Sequence, residues 1–246
     1  MRWQKKPHLE AACVDEGDTY SLDELSQLEN VECNNTLMLV NKEHPLPQDY
    51  QADVTDYNGA LMHPRMVDAY VALRDRVEER TRVRIYVSSD YRTKEEQEEI
   101  LLESEEGAAA PVGCSEHEAG LALDVYAPYF AGKEFLHSPA GRDVNRICHE
   151  HGFIIRYPRG KESVTEIGYE PWHIRYVGEP HAKVMSEAGI TLEEYVEYLT
   201  PEEWFSHGDY LILRTQKDSV VLPRGWQSCE ISPDNTGYRI ITLKIS

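Results

Sequence analysis

Hydrophobic and polar positions change period several times along the chain, and each change predicts an element. From His63 to Arg80, the residues Met66, Ala69, Tyr70, Leu73 and Val77 recur at helical spacing with charges between them. That pattern predicts a long amphipathic helix with one buried face. Over Arg82–Ser88 the period drops to two, with Val83, Ile85 and Val87 on one face, which predicts a strand. Thr93 followed by Glu96 is a capping box and opens a helix carrying Gln97, Ile100 and Leu101. Ser138-Pro139 starts another helix, with Val144, Ile147 and Cys148 on its apolar face and Gly152 as its stop. Leu121–Tyr126, Gly152–Tyr157 and Trp172–Val177 read as strands.

The ends of the chain are patterned differently. Residues 1–35 are acidic and polar and read as an arm or linker, with one short helix behind the capping box Ser21-Leu22-Asp23-Glu24. Thr36–Val40 is an apolar run expected to form a strand. Residues 36–200 form the main domain, whose last part, 179–200, holds one or two helices. Beyond Pro201, short strands are expected at Tyr210–Leu213, Val220–Leu222, Gln227–Ile231 and Tyr238–Ile245, with turns at 223–225 and 235–237. Residues 201–246 therefore read as a small β appendage, too short to stand alone with assurance. The expected class is α+β: a small central antiparallel sheet flanked by helices, followed by a short all-β C-terminal piece.

Charge narrows the partners. The 246 residues carry 25 Lys and Arg against 44 Asp and Glu, a formal charge of −19. Such a field disfavours nucleic acid and anionic membrane surfaces. No run approaches transmembrane length. Pro7, His8 and Glu10 interrupt any apolar stretch behind Arg2, Lys5 and Lys6, so no signal peptide is expected here. The five cysteines are odd in number and lack CxxC spacing, which points away from a disulfide framework and leaves one or two bridges open. Gly107–Gly113 reads as a flexible Ala/Gly/Pro loop before the first chemical motif.

Two segments concentrate the chemistry: Ser115-Glu116-His117-Glu118-Ala119-Gly120-Leu121-Ala122-Leu123-Asp124 and Glu170-Pro171-Trp172-His173-Ile174-Arg175-Tyr176. Together they supply two imidazoles, a carboxylate, and a further carboxylate three residues before the second imidazole. Those are the residue types of a catalytic zinc site with one open position. His117 and Asp124 lie seven residues apart with Gly120 and Ala122 between them, so the chain can turn and return to one ion. Cys114 borders the motif and reads as a small hydrophobe rather than a ligand. Glu170 is either a proton-handling group or half of a surface ion pair with Arg175.

The pattern SxHxxGxAxD followed by ExWHxRY resembles the VanY-like D-alanyl-D-alanine carboxypeptidases, zinc peptidases of peptidoglycan related in fold to the D-Ala-D-Ala dipeptidases and the hedgehog signalling domain. Ser89-Asp90-Tyr91-Arg92-Thr93 with Gln97, and Leu39-Val40-Asn41-Lys42 with Pro45-Leu46-Pro47, extend the resemblance over roughly residues 36–180. It implies Zn²⁺ held by His117, Asp124 and His173, Glu170 as general base, and Arg92 as the stabiliser of a developing oxyanion. Gln97 would hold Arg92 or the substrate amide. Ser115 would bind the terminal carboxylate or merely cap a turn. Trp172 would stack under the site or fill the core. The implied substrate is a peptidoglycan stem peptide losing its C-terminal D-alanine, in the cell envelope outside the cytoplasm. An L,D-carboxypeptidase or an endopeptidase on the same site, and a non-catalytic wall-binding module, are the alternatives. Asp90 stands where the family has Gly and adds a negative charge near Arg92. Glu118 stands where uncharged residues are common.

Overall fold

The computed structural model describes residues 9–14, 16–103 and 110–245. The basic residues Arg2, Lys5 and Lys6 and the first part of the Ala/Gly/Pro loop, 107–109, lie outside the described residues. The chain divides into two units, Val40–Ser186 and the pair of segments Met1–Leu39 and Glu187–Ser246.

The unit Val40–Ser186 is built on a four-stranded antiparallel sheet. A hairpin of β1 (Thr55–Tyr57) and β2 (Ala60–Met62) leads into α1 (Pro64–Thr81). His63 caps α1, its Nδ1 accepting from the Arg65 N–H, and Pro64 occupies the first turn. The sheet strands follow as β3 (Tyr86–Ser89), β4 (Ala122–Tyr126), β5 (Phe153–Ile155) and β6 (His173–Tyr176), in the spatial order β3-β4-β6-β5. Between them run α2 (Lys94–Glu103) and α3 (Pro139–Ile147). The box expected ahead of α2 is formed: Thr93 Oγ1 accepts from the Glu96 N–H at 3.2 Å, and Glu96 accepts from the Thr93 N–H at 2.8 Å.

Strand alternation separates two chemistries. Leu123 and Val125 of β4 and Ile174 and Tyr176 of β6 point into the core, against Met66, Tyr70, Leu73 and Val77 of α1 and Val144 and Ile147 of α3. Their neighbours Asp124, His173 and Arg175 therefore face the other side. Register aligns Asp124 with His173 across β4 and β6, and Ser89 with Asp124 across β3 and β4, where β3 carries a bulge. Three adjacent strands thus present polar side chains at one place on one face.

The second unit holds a six-stranded sheet in the order Glu10–Ala12, Trp204–His207, Tyr210–Thr215, Arg239–Ile245, Trp226–Pro233 and Val31–Cys33. Its core comprises Leu25, Leu211, Leu213, Leu222, Cys229, Ile241 and Leu243. The N-terminal segment, expected as an arm or linker, thus supplies two strands of this sheet, and Asp18–Ser21 pairs with Ser219–Leu222 in a separate ladder. Strands of three residues are too short to show the alternation that announces a strand. The short helix behind Ser21 is present with its capping box. Thr36–Val40 is not a strand. Thr36 bonds the Asn34 side chain, the Leu37 N–H donates to Ser232 Oγ at 3.0 Å, and the Met38 and Leu39 N–H groups donate to the Asn35 and Asp234 carbonyls, so scattered partners replace a ladder. No helix among the described residues is long and apolar enough to cross a membrane. The five cysteines are free, with Cys114, Cys148 and Cys229 buried.

Candidate functional site

His117 sits in a tight turn between α2 and β4. The Glu118 N–H donates to the Ser115 carbonyl, and the Gly120 N–H to the His117 carbonyl. Gly120 takes φ +72, a left-handed conformation that side chains rarely adopt, and so reverses the chain into β4. Asp124 follows on β4 and His173 opens β6. The expected turn-and-return between His117 and Asp124 corresponds to this glycine turn.

His117 Nε2 lies 3.5 Å from Asp124 Oδ1, and His173 Nδ1 lies 3.2 Å from the same oxygen. A tetrahedron with bonds of 2.0–2.1 Å has edges of about 3.3 Å, so the spacing suits three ligands of one zinc ion. The tautomer of His117 is set from outside: its Nδ1 is 2.7 Å from the Asp90 carbonyl, which can only accept, leaving Nε2 bare. Asp124 Oδ1 is buried and makes no hydrogen bond. A buried carboxylate oxygen without a hydrogen bond is costly, and a cation is the partner its surroundings allow. Among the described residues this is the one His/Cys/Asp/Glu group with metal-binding geometry.

Electrostatics follows from burial and proximity. Burial pushes the His117 imidazole down, with Asp124 opposing. For His173 burial also acts downward, but the Asp124 and Glu116 carboxylates outweigh it and lift it to about 9. Asp124 is held well below the usual carboxylate range: burial acts upward, and the neighbouring His117 and His173 imidazoles prevail.

Glu170 is beside this group. Regular strand geometry would have sent residues 170 and 173 to opposite faces. Instead Glu170–Trp172 forms a turn, with the His173 N–H donating to the Glu170 carbonyl at 3.2 Å. Glu170 Oε2 is consequently 3.6 Å from His173 Nδ1. Burial raises the Glu170 carboxyl, His173 opposes, and Asp124 adds to the rise. The surface pair with Arg175 does not form. Arg175 is fully buried and its Nη1 donates to Glu116 Oε1 at 2.7 Å.

Arg92 projects from the junction of β3 and α2. Its Nε and Nη2 donate to Ser89 Oγ at 3.1 and 2.8 Å, and Nη1 donates to Gln97 Oε1 at 3.1 Å. Gln97 Nε2 donates to the Ala110 carbonyl at 2.8 Å, so both ends of that amide are occupied and its contact is with Arg92. Ser115 Oγ accepts from the His117 N–H at 3.3 Å, the turn-capping role. Arg92, Gln97, Ser115, Glu170 and Trp172 line one cavity of about 170 Å³ with the three ligand residues. Trp172 is half-buried, lines the cavity and also packs against the core. Asp90 is turned away from Arg92, its carboxylate accepting the Leu61 N–H, and Glu118 accepts the Gly113 N–H.

Sequence reasoning passed over Tyr157, Ile100 and Ile167, which line the same cavity. The Tyr157 ring is 4.8 Å from that of His173. They come from separate loops and elements without a motif. Glu116 was also passed over, although its place beside His117 and the alternation of 173 and 175 on β6 were both visible.

Comparison with known proteins identifies the family. A family model described as VanY: D-alanyl-D-alanine carboxypeptidase matches residues 59–179. A D-alanyl-D-alanine carboxypeptidase of Enterococcus faecium is 30% identical over 219 residues, covering 82% of this chain and 69% of that protein. Among solved structures, the vancomycin-resistance D,D-dipeptidase VanXYg with a D-Ala-D-Ala phosphinate analogue superposes with a TM-score of 0.74 at 26% identity, over 93% of this chain and 98% of that one. A VanY D,D-pentapeptidase variant in complex with Zn(II) gives 0.60 at 32% identity, over 65% and 98%. The LD-carboxypeptidase LdcB gives 0.61 at 31%, over 75% and 95%.

Proposed function

Because the chain belongs to the VanY family of D-alanyl-D-alanine carboxypeptidases, we propose that it is a zinc-dependent carboxypeptidase that removes the C-terminal D-alanine of peptidoglycan stem peptides in the cell envelope. The observation that carries this reading is the buried Asp124 Oδ1 without a hydrogen bond, set between two imidazole nitrogens at tetrahedral spacing with Glu170 alongside. Held by His117, Asp124 and His173, a zinc ion would polarise the scissile carbonyl and supply a water whose pKa falls to about 7.

The remaining steps belong to the chain's own residues. Glu170 Oε2 takes a proton from the attacking water and returns it to the leaving amine. Its raised pKa brings it closer to neutral pH, where a base can also serve as the returning acid. Arg92 carries five N–H donors, three of them engaged with Ser89 and Gln97; Nη2 also lies 3.6 Å from Asp124 Oδ2, and the N–H groups left on Nη1 and Nη2 can serve the oxyanion that develops on the carbonyl. Because Ser89 and Gln97 hold the guanidinium in place, little reorganisation is needed as charge appears. The Ser115 hydroxyl accepts from the backbone and keeps its own proton to donate to the terminal carboxylate. Ile100, Ile167 and Trp172 give the small cavity an apolar side suited to a methyl group.

The likeness to LdcB favours one second reading, L,D-carboxypeptidase action on a tetrapeptide stem. Mass spectrometry after incubating the zinc-loaded protein with stem pentapeptide and tetrapeptide, beside Glu170→Ala, separates the two. Loss of one D-alanine from the pentapeptide supports the proposal. Loss from the tetrapeptide alone moves the assignment to L,D-carboxypeptidase. No cleavage of either by zinc-bound protein overturns both, and leaves an endopeptidase or a non-catalytic wall-binding module.

A further inference from the structure

Glu116 stands immediately before a metal-ligand candidate, yet its carboxylate turns away from Asp124 and into the protein. It is fully buried between two arginines that are themselves fully buried. Both guanidiniums choose the same oxygen: Arg156 Nε and Arg175 Nη1 each donate to Oε1 at 2.7 Å. The other oxygen, Oε2, takes no hydrogen bond from them and lies 3.5 Å from His173 Nε2. His173 Nε2 likewise makes no closer contact. The ring's other nitrogen, Nδ1, is the one facing Asp124 Oδ1 at 3.2 Å.

We infer that Glu116, clamped by Arg156 and Arg175, is the positioning residue that fixes the tautomer of His173. An acceptor facing Nε2 keeps the ring proton there, and the lone pair is left on Nδ1, toward the ligand group. Carboxylates behind metal-binding imidazoles act in this way generally, and their loss costs about 10–100-fold in metal affinity. The arginines determine which carboxylate oxygen does the work. Because they hold Oε1, only Oε2 is available to the ring. This assignment rests on the metal-site reading above and adds a role to a residue outside the ligand set.

The division of the two oxygens makes Glu116→Gln a sharp perturbation. An amide has one oxygen, and two buried guanidiniums claim it. Its NH₂ must then face His173 Nε2, donor against donor, which drives the ring proton to Nδ1 and removes the lone pair from the ligand side. Glu116→Asp keeps the negative charge between the arginines but shortens the reach toward His173. Asp143→Asn is the control: Asp143 is another buried carboxylate in the same unit, bonded to Arg80 and Arg146, away from the ligand residues.

Zinc affinity by competition with a chromophoric chelator, the visible spectrum of the cobalt-substituted protein, and unfolding stability are measured on the full chain for all four proteins. The expected result is a loss of zinc affinity of about 10–100-fold in Glu116→Gln and an altered cobalt spectrum. Glu116→Asp is expected to lose affinity with a smaller loss of stability, and it decides the matter if Glu116→Gln does not fold. Asp143→Asn should lose stability and keep wild-type zinc affinity. Wild-type affinity in either folded Glu116 variant, or an equal loss in Asp143→Asn, overturns the assignment. Failure of the wild-type protein to bind zinc would instead overturn the metal-site reading itself.

Discussion

Replacing Gly120 by alanine tests whether the turn between His117 and Asp124 is what brings the two side chains together. Gly120 sits at φ +72, and its backbone is engaged on both sides: its N–H donates to the His117 carbonyl and its carbonyl accepts from the His63 N–H. An L-residue in that conformation costs about 1–2 kcal/mol. The added Cβ would also lie 2.7 Å from Val54 Cγ1 and 3.5 Å from Ala52 Cβ, so Val54 must move. Crowding of this kind adds about 1–3 kcal/mol. A combined loss of about 3 kcal/mol corresponds to a fall in Tm of about 6–12 °C for a domain of this size. Gly113→Ala separates the two contributions, because Gly113 has φ +81 but nothing within 4 Å of an added Cβ. It should lose only the conformational part, about 1–2 kcal/mol. Thermal unfolding of the metal-free proteins reads both, and a chelator competition reads zinc affinity. Gly120→Ala should be the less stable of the two variants and the weaker zinc binder. Melting of Gly120→Ala within about 1 °C of wild type, with unchanged zinc affinity, would refute the reasoning.

Two further outcomes follow from the site. Arg92→Ala should lower kcat by about 10²–10³-fold, the usual cost of removing an oxyanion donor, and zinc stoichiometry by metal analysis should stay at the wild-type value; a kcat within twofold of wild type contradicts the role. Glu170 acts as a base only when deprotonated, and burial lifts its pKa above the ordinary value of about 4.3. The acid limb of kcat/KM should therefore fall at higher pH than for a free carboxylate, with activity lost as pH drops through the raised pKa. A profile flat down to about pH 4 contradicts this.

Much of the site was legible because its residues sit in two contiguous segments whose geometry is local. The Gly120 turn and the junction placing Arg92 above the sheet edge follow from short-range pattern, whereas the meeting of Asp124 and His173 across paired strands was implied by the family resemblance. The helix over His63–Arg80 was legible for the same reason, since a buried face at 3.6-residue period leaves an unambiguous trace. What escaped depends on pairing between distant segments. Glu10–Ala12 and Val31–Cys33 become strands only because the C-terminal sheet offers them edges, and at three residues each they are too short to show a period of their own. Thr36–Val40 has the apolar content of a strand but its N–H groups go to scattered partners, the Asn34 and Ser232 side chains and the Asn35 and Asp234 carbonyls. Glu116 was passed over within its motif. Its burial is made possible by Arg156 and Arg175, 40 and 59 residues further along the chain.

The central claim is that His117, Asp124 and His173 hold one metal ion and leave Glu170 unligated beside it. Anomalous diffraction at the zinc absorption edge, on crystals of the zinc-loaded protein, tests it most directly. The account predicts a single strong peak bonded to His117 Nε2, Asp124 Oδ1 and His173 Nδ1, with Glu170 outside bonding distance. A peak at any other side-chain group, or one in which Glu170 replaces Asp124 as a ligand, would contradict it.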